Sequence, residues 1–114
     1  MDQAVIVSTA RTPIAKAYKG SYNDTDAPTL ASYVIKECIK RSGIDPHEIE
    51  DVIMGAAVQQ GTQGYNIGRL SAMASQLPVN IPGMSIDRQC GSGLMAIATG
   101  AKLIACNEME IVVG

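Results

Sequence analysis

The sequence predicts an α/β fold in which a mostly parallel β-sheet alternates with helices in the order βαβαβαβ. Two observations support this prediction. Short runs of β-branched and aliphatic residues recur at residues 4–9, 52–58, 84–87 and 110–113, and the segments between them repeat apolar residues at helical spacing. With 46% hydrophobic residues, residues 1–114 can form one modest domain with a core of its own.

The first strand and the first helix have clear ends. The run at residues 4–9 is predicted to be a buried strand, ended by the turn at residues 11–13. The first helix is predicted to start at Pro28 and to stop before Gly43, because proline suits the first helical turn and glycine the position after the last one.

The later elements follow the same alternation. Residues 52–58 form an aliphatic run that opens into a polar, glycine-containing loop. Asn66 is predicted to cap the second helix, and a third helix lies between the strands at residues 84–87 and 110–113. The inward face of the second helix consists of its periodic apolar residues, Ile67, Leu70, Ala74 and Leu77.

The third helix is almost free of charge, with no charged residue between Arg88 and Lys102. Its larger apolar residues recur at helical spacing, and many of the remaining positions hold glycine, serine or alanine. We therefore expect a helix that is buried on most sides and has close-packed neighbours. The periodic positions are Leu94, Ile97, Ala98, Ala101 and Ala105.

Cys90 lies at the start of this helix and is a candidate nucleophile. A helix N-terminus presents unpaired N–H groups and the positive pole of the dipole, which together favour a thiolate. Gly91 and Gly93 cost helix propensity, which the close approach of a substrate or a neighbouring element would explain. The alternative is a buried structural cysteine, the commoner fate of a free cysteine, and the sequence pattern leaves it open.

The predicted topology gives this cysteine no partner for proton transfer. In a parallel sheet the loops that follow the strands share one edge, and Arg11, residues 59–66 and Cys90 fall there. The single histidine, His47, lies in a helix-to-strand connection at the opposite edge. We therefore expect His47 to be an exposed turn residue and not a general base.

Composition argues against several classes of protein. A net charge of −2 with 18% charged residues provides no basic surface for nucleic acid. No apolar run approaches the roughly 20 residues of a membrane-spanning helix, and no signal peptide is evident, so we expect a cytoplasmic protein without a membrane partner. Cys38 and Cys106 are interpreted as structural thiols, because the sequence has no CxxC motif or histidine pair that would hold a metal.

The cysteine segment resembles a known signature. Cys90 is followed by Gly-Ser-Gly-Leu at residues 91–94 and then by Ala96 and Ile97, as around the acyl-accepting cysteine of thiolases. Residues 8–13 and 64–69 resemble the opening strand and turn and the second glycine-bearing loop of that family.

The chain also departs from the family pattern. Asp87 stands where thiolases usually have asparagine, and a carboxylate close to a thiolate disfavours it, although Arg88 offers a compensating charge. Tyr65 and Gly68 replace the usual glutamine and alanine, which affects the substrate side of that loop and not the fold.

The resemblance implies a layered thiolase fold of which residues 1–114 are the N-terminal part, with the loop domain and C-terminal domain outside this chain. It implies an acyltransferase of fatty acid metabolism in which Cys90 attacks an acyl-CoA thioester and passes the acyl group to coenzyme A or to an acetyl-CoA carbanion. The Cys90 N–H would form half of an oxyanion hole, and Gly91, Ser92 and Gly93 would leave room for the substrate. Coenzyme A thioesters serve as substrates, no separate cofactor or metal is implied, and the full-length enzyme is expected to be a homodimer or homotetramer.

Two other interpretations stay open. In one, the chain is a non-catalytic truncated domain or an assembly unit that binds through an uncovered sheet face. In the other it is a related ketoacyl synthase, although the order Cys-x-Ser-Gly-Leu favours a thiolase. Because the acid and base of thiolases, two histidine-bearing loops and a second cysteine, belong to the C-terminal half, we expect this chain alone to be inactive.

Overall fold

The computed structural model describes residues 3–114. Its helices and strands are α1 (Ala27–Ser42), β1 (Asp51–Gly55), α2 (Ile67–Ala74), β2 (Met84–Ile86), α3 (Ser92–Ala105) and β3 (Val112–Val113). Short 3-10 helices at Pro46–Glu48 and Gly61–Gln63 lie on either side of β1. This alternation confirms the predicted α/β layout.

Local capping interactions set the ends of α1 and α2. Asp26 caps α1 by accepting a hydrogen bond from the Thr29 N–H at 2.7 Å. Gly43 ends α1, as predicted, in the left-handed conformation with φ 70°, which glycine adopts without steric cost. Asn66 caps α2, also as predicted, and its side chain accepts from the Arg69 N–H at 3.3 Å.

The sheet is parallel, with the strand order β2-β1-β3. Ile53 of β1 is paired with Met84 of β2, and Val52 is paired with Val113 of β3. Helices α2 and α3 both contact β1, and α1 packs against α2. The main cluster of buried apolar side chains consists of Ile35, Ile49, Val52, Ala72, Leu77 and Ile81.

The predicted strand at residues 4–9 is wrong. No strand is assigned there, and Val5, Ile6 and Val7 are exposed. β-Branched composition favours an extended backbone, but a strand also needs a neighbouring edge to pair with. Instead, the Thr9 carbonyl accepts a hydrogen bond from Nη1 of Arg41 at 2.8 Å.

The orientation of α3 also differs from the prediction. Leu94 is 75% exposed and Ile97 is exposed as well, whereas the buried positions are Ser92, Ala96 and Gly100. Hydrophobic periodicity predicted that the face with the larger side chains is buried. In the structure, the face formed by Ser92, Ala96 and Gly100, called the small face here, is buried instead. Leu70 of α2 was likewise expected to face inward and is exposed.

The small face of α3 lets the helix backbone lie very close to the strands of the sheet. A Cβ built on Gly55 would lie 2.3 Å from the carbonyl carbon of Ser92, closer than atoms can pack. A Cβ on Gly100 would lie 3.2 Å from Cγ1 of Val112. Larger residues on this face would separate the helix from β1 and β3, so close packing outweighs the hydrophobic preference of Leu94 and Ile97.

Candidate active site

Cys90 lies in the turn that joins β2 to α3, at the carboxyl end of the strand and the N-terminal end of the helix. The side chain is exposed. Gly91 occupies the N-cap position and provides no side chain to satisfy the first N–H groups of α3. The arrangement leaves the positive end of the helix dipole beside an accessible thiol.

A set of hydrogen bonds holds the turn before the helix. The Asp87 carboxylate accepts from the Gln89 N–H at 2.9 Å. The Ser92 hydroxyl accepts from the Arg88 N–H at 2.8 Å and donates to the Gln89 carbonyl at 2.6 Å. Gln89 has a φ of 50°, the left-handed region that a residue with a side chain seldom adopts.

The predicted substrate-side residues differ in exposure. Gly91 and Gly93 are exposed, and a Cβ built on Gly93 would contact nothing within 4 Å. Ser92 is buried between them. Open space thus lies beside Gly93, whereas a Cβ on Gly91 would meet the Arg88 carbonyl oxygen at 3.5 Å. The Ser92 hydroxyl is directed into the turn.

The second glycine-bearing loop is fixed to the segment around the start of β2. Asn66 donates from Nδ2 to the Gly83 carbonyl at 2.8 Å, and its Oδ1 accepts from the Ser85 hydroxyl at 3.1 Å. Tyr65 and Asn66 are both left-handed, with φ of 53° and 62°. Arg69 donates to the carbonyls of Val79 and Ile81, so its charge is engaged in holding that connection.

His47 is exposed in the 3-10 helix that precedes β1. That connection enters the amino end of β1, whereas Cys90 follows the carboxyl end of β2, and the two strands are parallel. The histidine and the cysteine therefore lie at opposite edges of the sheet, as the sequence predicts. Arg11, by contrast, precedes α1 in an irregular segment that does not follow a strand.

Cys38, Cys90 and Cys106 are free thiols. Within residues 3–114, no group of histidine, cysteine and acidic side chains is arranged to hold a metal ion. In the same part of the chain, no helix combines the length and apolar character needed to cross a membrane.

Two features of the cysteine turn were not predicted from the sequence. Gly55 provides the space into which the first turn of α3 fits, and a glycine inside a predicted strand could have signalled such a close approach. The left-handed conformation of Gln89 has no comparable signal, because glutamine is not a residue type associated with positive φ.

Comparison with known proteins identifies the family. The family model for the thiolase N-terminal domain matches residues 4–114. An acetyl-CoA acetyltransferase of Cupriavidus necator is 41% identical over 113 residues, which are 99% of this chain and 28% of that protein. A 3-ketoacyl-CoA thiolase of Bacillus subtilis is 40% identical over 104 residues, covering 91% of this chain and 27% of that protein.

The fold agrees with this similarity. The crystal structure of the Bacillus anthracis acetyl-CoA acetyltransferase superposes with a TM-score of 0.92 at 35% identity, over 98% of this chain and 28% of that one. The chain therefore spans a little more than a quarter of the length of these relatives.

Proposed function

Because the chain belongs to the thiolase family, we propose that it supplies the nucleophile of an acyltransferase that condenses or cleaves 3-ketoacyl-CoA. The observation that supports this proposal is the exposed Cys90 at the N-terminus of α3. In this proposal Cys90 exchanges an acyl group with coenzyme A, and the coenzyme A thioester is a substrate.

The reaction begins when the Cys90 thiolate attacks the thioester carbonyl carbon of an acyl-CoA. A carbon–sulfur bond forms to Cys90, the bond to coenzyme A breaks, and the coenzyme A thiolate takes up a proton. The backbone N–H of Cys90 is well suited to stabilise the oxyanion, because it belongs to the turn that opens α3. Gly91 and Gly93 leave space for the acyl group, since neither carries a side chain on the exposed side of the turn.

The proton-transfer groups lie elsewhere in this proposal. Acyl transfer needs a base for the thiol and an acid for the leaving thiolate. His47 is at the wrong edge of the sheet, so we assign both roles to residues of the whole enzyme outside residues 1–114. We also expect the whole enzyme to be a homodimer or homotetramer.

A direct test is acylation of the isolated chain by acetyl-CoA, followed by peptide mass mapping. We expect slow, stoichiometric acetylation of Cys90 that is absent in Cys90→Ser. Cys106 is a matched control, because it is exposed at the other end of the same helix. Equal acetylation of Cys90 and Cys106 would contradict the proposal.

A non-catalytic binding role is the second candidate, and exposed apolar residues favour it. Val5, Ile6 and Val7 form one exposed stretch, and Leu94 and Ile97 expose a second on α3. Acetylation of Cys90 by acetyl-CoA distinguishes the candidates, since a binding unit has no need of a reactive thiol.

A further inference from the structure

Ser92 is buried between two exposed glycines. Only 4% of its surface is accessible, whereas Gly91 and Gly93 are exposed. Its hydroxyl uses both its donor and an acceptor position within the turn, on the Gln89 carbonyl and the Arg88 N–H. The side chain is therefore committed to the turn and is not available to a ligand.

The Ser92 hydroxyl is hydrogen-bonded to Gln89, the residue of the turn with an unfavourable backbone conformation. Gln89 is left-handed, a conformation that costs free energy for any residue with a Cβ and persists only where neighbouring contacts enforce it. The Asp87 carboxylate fixes the Gln89 N–H, and Ser92 fixes the Gln89 carbonyl. Cys90 is the next residue, so its direction depends on this conformation.

The backbone of Ser92 packs very close to the sheet. Gly55, the last residue of β1, lies so close that a Cβ there would stand 2.3 Å from the Ser92 carbonyl carbon and 2.4 Å from the Gly93 nitrogen. Ser92 thus lies between the end of β1 and the left-handed residue that precedes the cysteine.

We propose that Ser92 is a positioning residue, whose hydroxyl holds Gln89 in the left-handed conformation and thereby keeps the Cys90 thiol at the N-terminus of α3. This proposal rests on the proposed nucleophilic role of Cys90. It assigns Ser92 to the geometry of the nucleophile and leaves the space for substrate to Gly91 and Gly93.

The test measures alkylation rates of individual thiols by iodoacetamide in the 114-residue chain, expressed as the ratio of Cys90 to Cys106. Ser92→Ala is expected to lower this ratio about two- to fivefold, the size of the helix-end effect on a nearby anion. Ser75→Ala is the matched control, because Ser75 is 5% exposed and its hydroxyl donates to the Ser71 carbonyl, away from the turn. That control should leave the ratio unchanged.

A second pair of variants covers the case in which Ser92→Ala does not fold. Ser92→Thr and Ser92→Val have nearly the same shape, so packing changes cancel and only the hydroxyl differs. Ser92→Thr should have a higher ratio of Cys90 to Cys106 alkylation than Ser92→Val. The amide hydrogen of Arg88 should also exchange more slowly in Ser92→Thr, because the hydroxyl accepts its hydrogen bond. Equal ratios in the two variants, or an unchanged ratio in folded Ser92→Ala, would overturn the proposal.

The readout is independent of coenzyme A. If acetyl-CoA fails to acylate Cys90 but Ser92→Ala still lowers the alkylation ratio, the proposed enzymatic function fails and the positioning of the thiol stands. If acylation occurs and the ratio is insensitive to the hydroxyl, the positioning role fails alone.

Discussion

At the scale of single residues, the two exposed thiols of α3 provide an internal comparison. Cys90 precedes the N-terminal end of the helix and Cys106 is its C-cap residue, so Cys90 lies beside the positive end of the helix dipole and Cys106 beside the negative end. We expect Cys90 to be alkylated at least about twice as fast as Cys106, by a neutral reagent with peptide mass mapping. Preferential labelling of Cys106 or Cys38 in the folded protein would contradict this expectation.

Asp87 gives a second prediction at this scale. Its carboxylate accepts from the Gln89 N–H, and asparagine can make the same hydrogen bond without the negative charge. Asp87→Asn should therefore preserve the turn and accelerate alkylation of Cys90, since a charge unfavourable to a thiolate is removed. Asp87→Ala, which loses the charge and the hydrogen bond together, is the comparison. A rate unaffected by Asp87→Asn would show that the carboxylate has no electrostatic influence on the thiol.

Asp26 gives a prediction about pH. Hydrogen bonds from the backbone and side chain of Thr29 hold the pKa of the Asp26 carboxyl below its ordinary value. The ionised form therefore stabilises the folded state above the ordinary pKa, and this contribution is lost as pH falls through the lowered folded-state value.

Asp26→Asn keeps a capping side chain but cannot ionise, so the loss of unfolding free energy between pH 7 and pH 3 should be smaller in this variant. Urea titrations at the two pH values measure it. Asp24→Asn is the control, because Asp24 is exposed and does not occupy the cap. An identical pH dependence in Asp26→Asn and the unmodified chain would refute the role of the cap.

At the scale of elements, the contact between β1 and α3 depends on Gly55. Alanine there would force the first turn of α3 away from the strand, because the new methyl group would meet backbone atoms of Ser92 and Gly93. We expect Gly55→Ala to lower the free energy of unfolding by about 1–3 kcal/mol or more, measured by urea denaturation.

Gly100→Ala should cost less, because the methyl group would meet only side-chain atoms, Cγ1 of Val112 at 3.2 Å and Cδ1 of Ile53 at 4.0 Å, which can adjust. The alkylation ratio of Cys90 to Cys106 should fall in Gly55→Ala and stay unchanged in Gly100→Ala. Equal destabilisation by the two substitutions would contradict the close approach at Gly55.

The elements also show which parts of the fold the sequence can predict. The C-terminal end of α1 and the start of α2 were predictable, because Gly43 and Asn66 act on their own helices through local hydrogen bonds. The strand at residues 4–9 was not, because pairing depends on which edge is available in the assembled sheet. The inward face of α3 was missed because periodicity reports hydrophobicity and carries no information on how near the neighbouring strand lies.

For the candidate site, the sequence suggests which residues take part but not how they are arranged. Cys90 and its glycines were recognisable from their motif and from the helix that follows. The buried Ser92 lies against Gly55, a residue distant in sequence, and the left-handed Gln89 is hydrogen-bonded to Ser92. Long-range contacts of this kind leave no local pattern.

At the scale of the whole molecule, we expect the 114-residue chain to show no thiolase turnover. Within residues 3–114 the proposed nucleophile, Cys90, is present, but the single histidine lies at the opposite edge of the sheet. General acid and base groups each contribute roughly 10² to 10⁴ in rate, so their absence should limit the chain to slow acylation of Cys90.

Incubation with acetoacetyl-CoA and coenzyme A, with thioester loss followed over time, tests this expectation. Cys90→Ala is the control for background hydrolysis. Multiple turnovers that disappear in Cys90→Ala would show that residues within this chain supply the proton transfers.

The strand order has a consequence for biosynthesis. β1 is central in the sheet but is the first of the strands in sequence, and its partners on β2 and β3 follow about 30 and about 60 residues later. At a synthesis rate of about 5–20 residues per second, β3 is made about 3–12 s after β1. Both edges of this aliphatic strand, which contains Val52 and Ile53, are unpaired until β2 is made, and one edge is unpaired until β3 is made. We therefore expect a nascent molecule to be most prone to pairing with other chains at a strand that the folded chain buries.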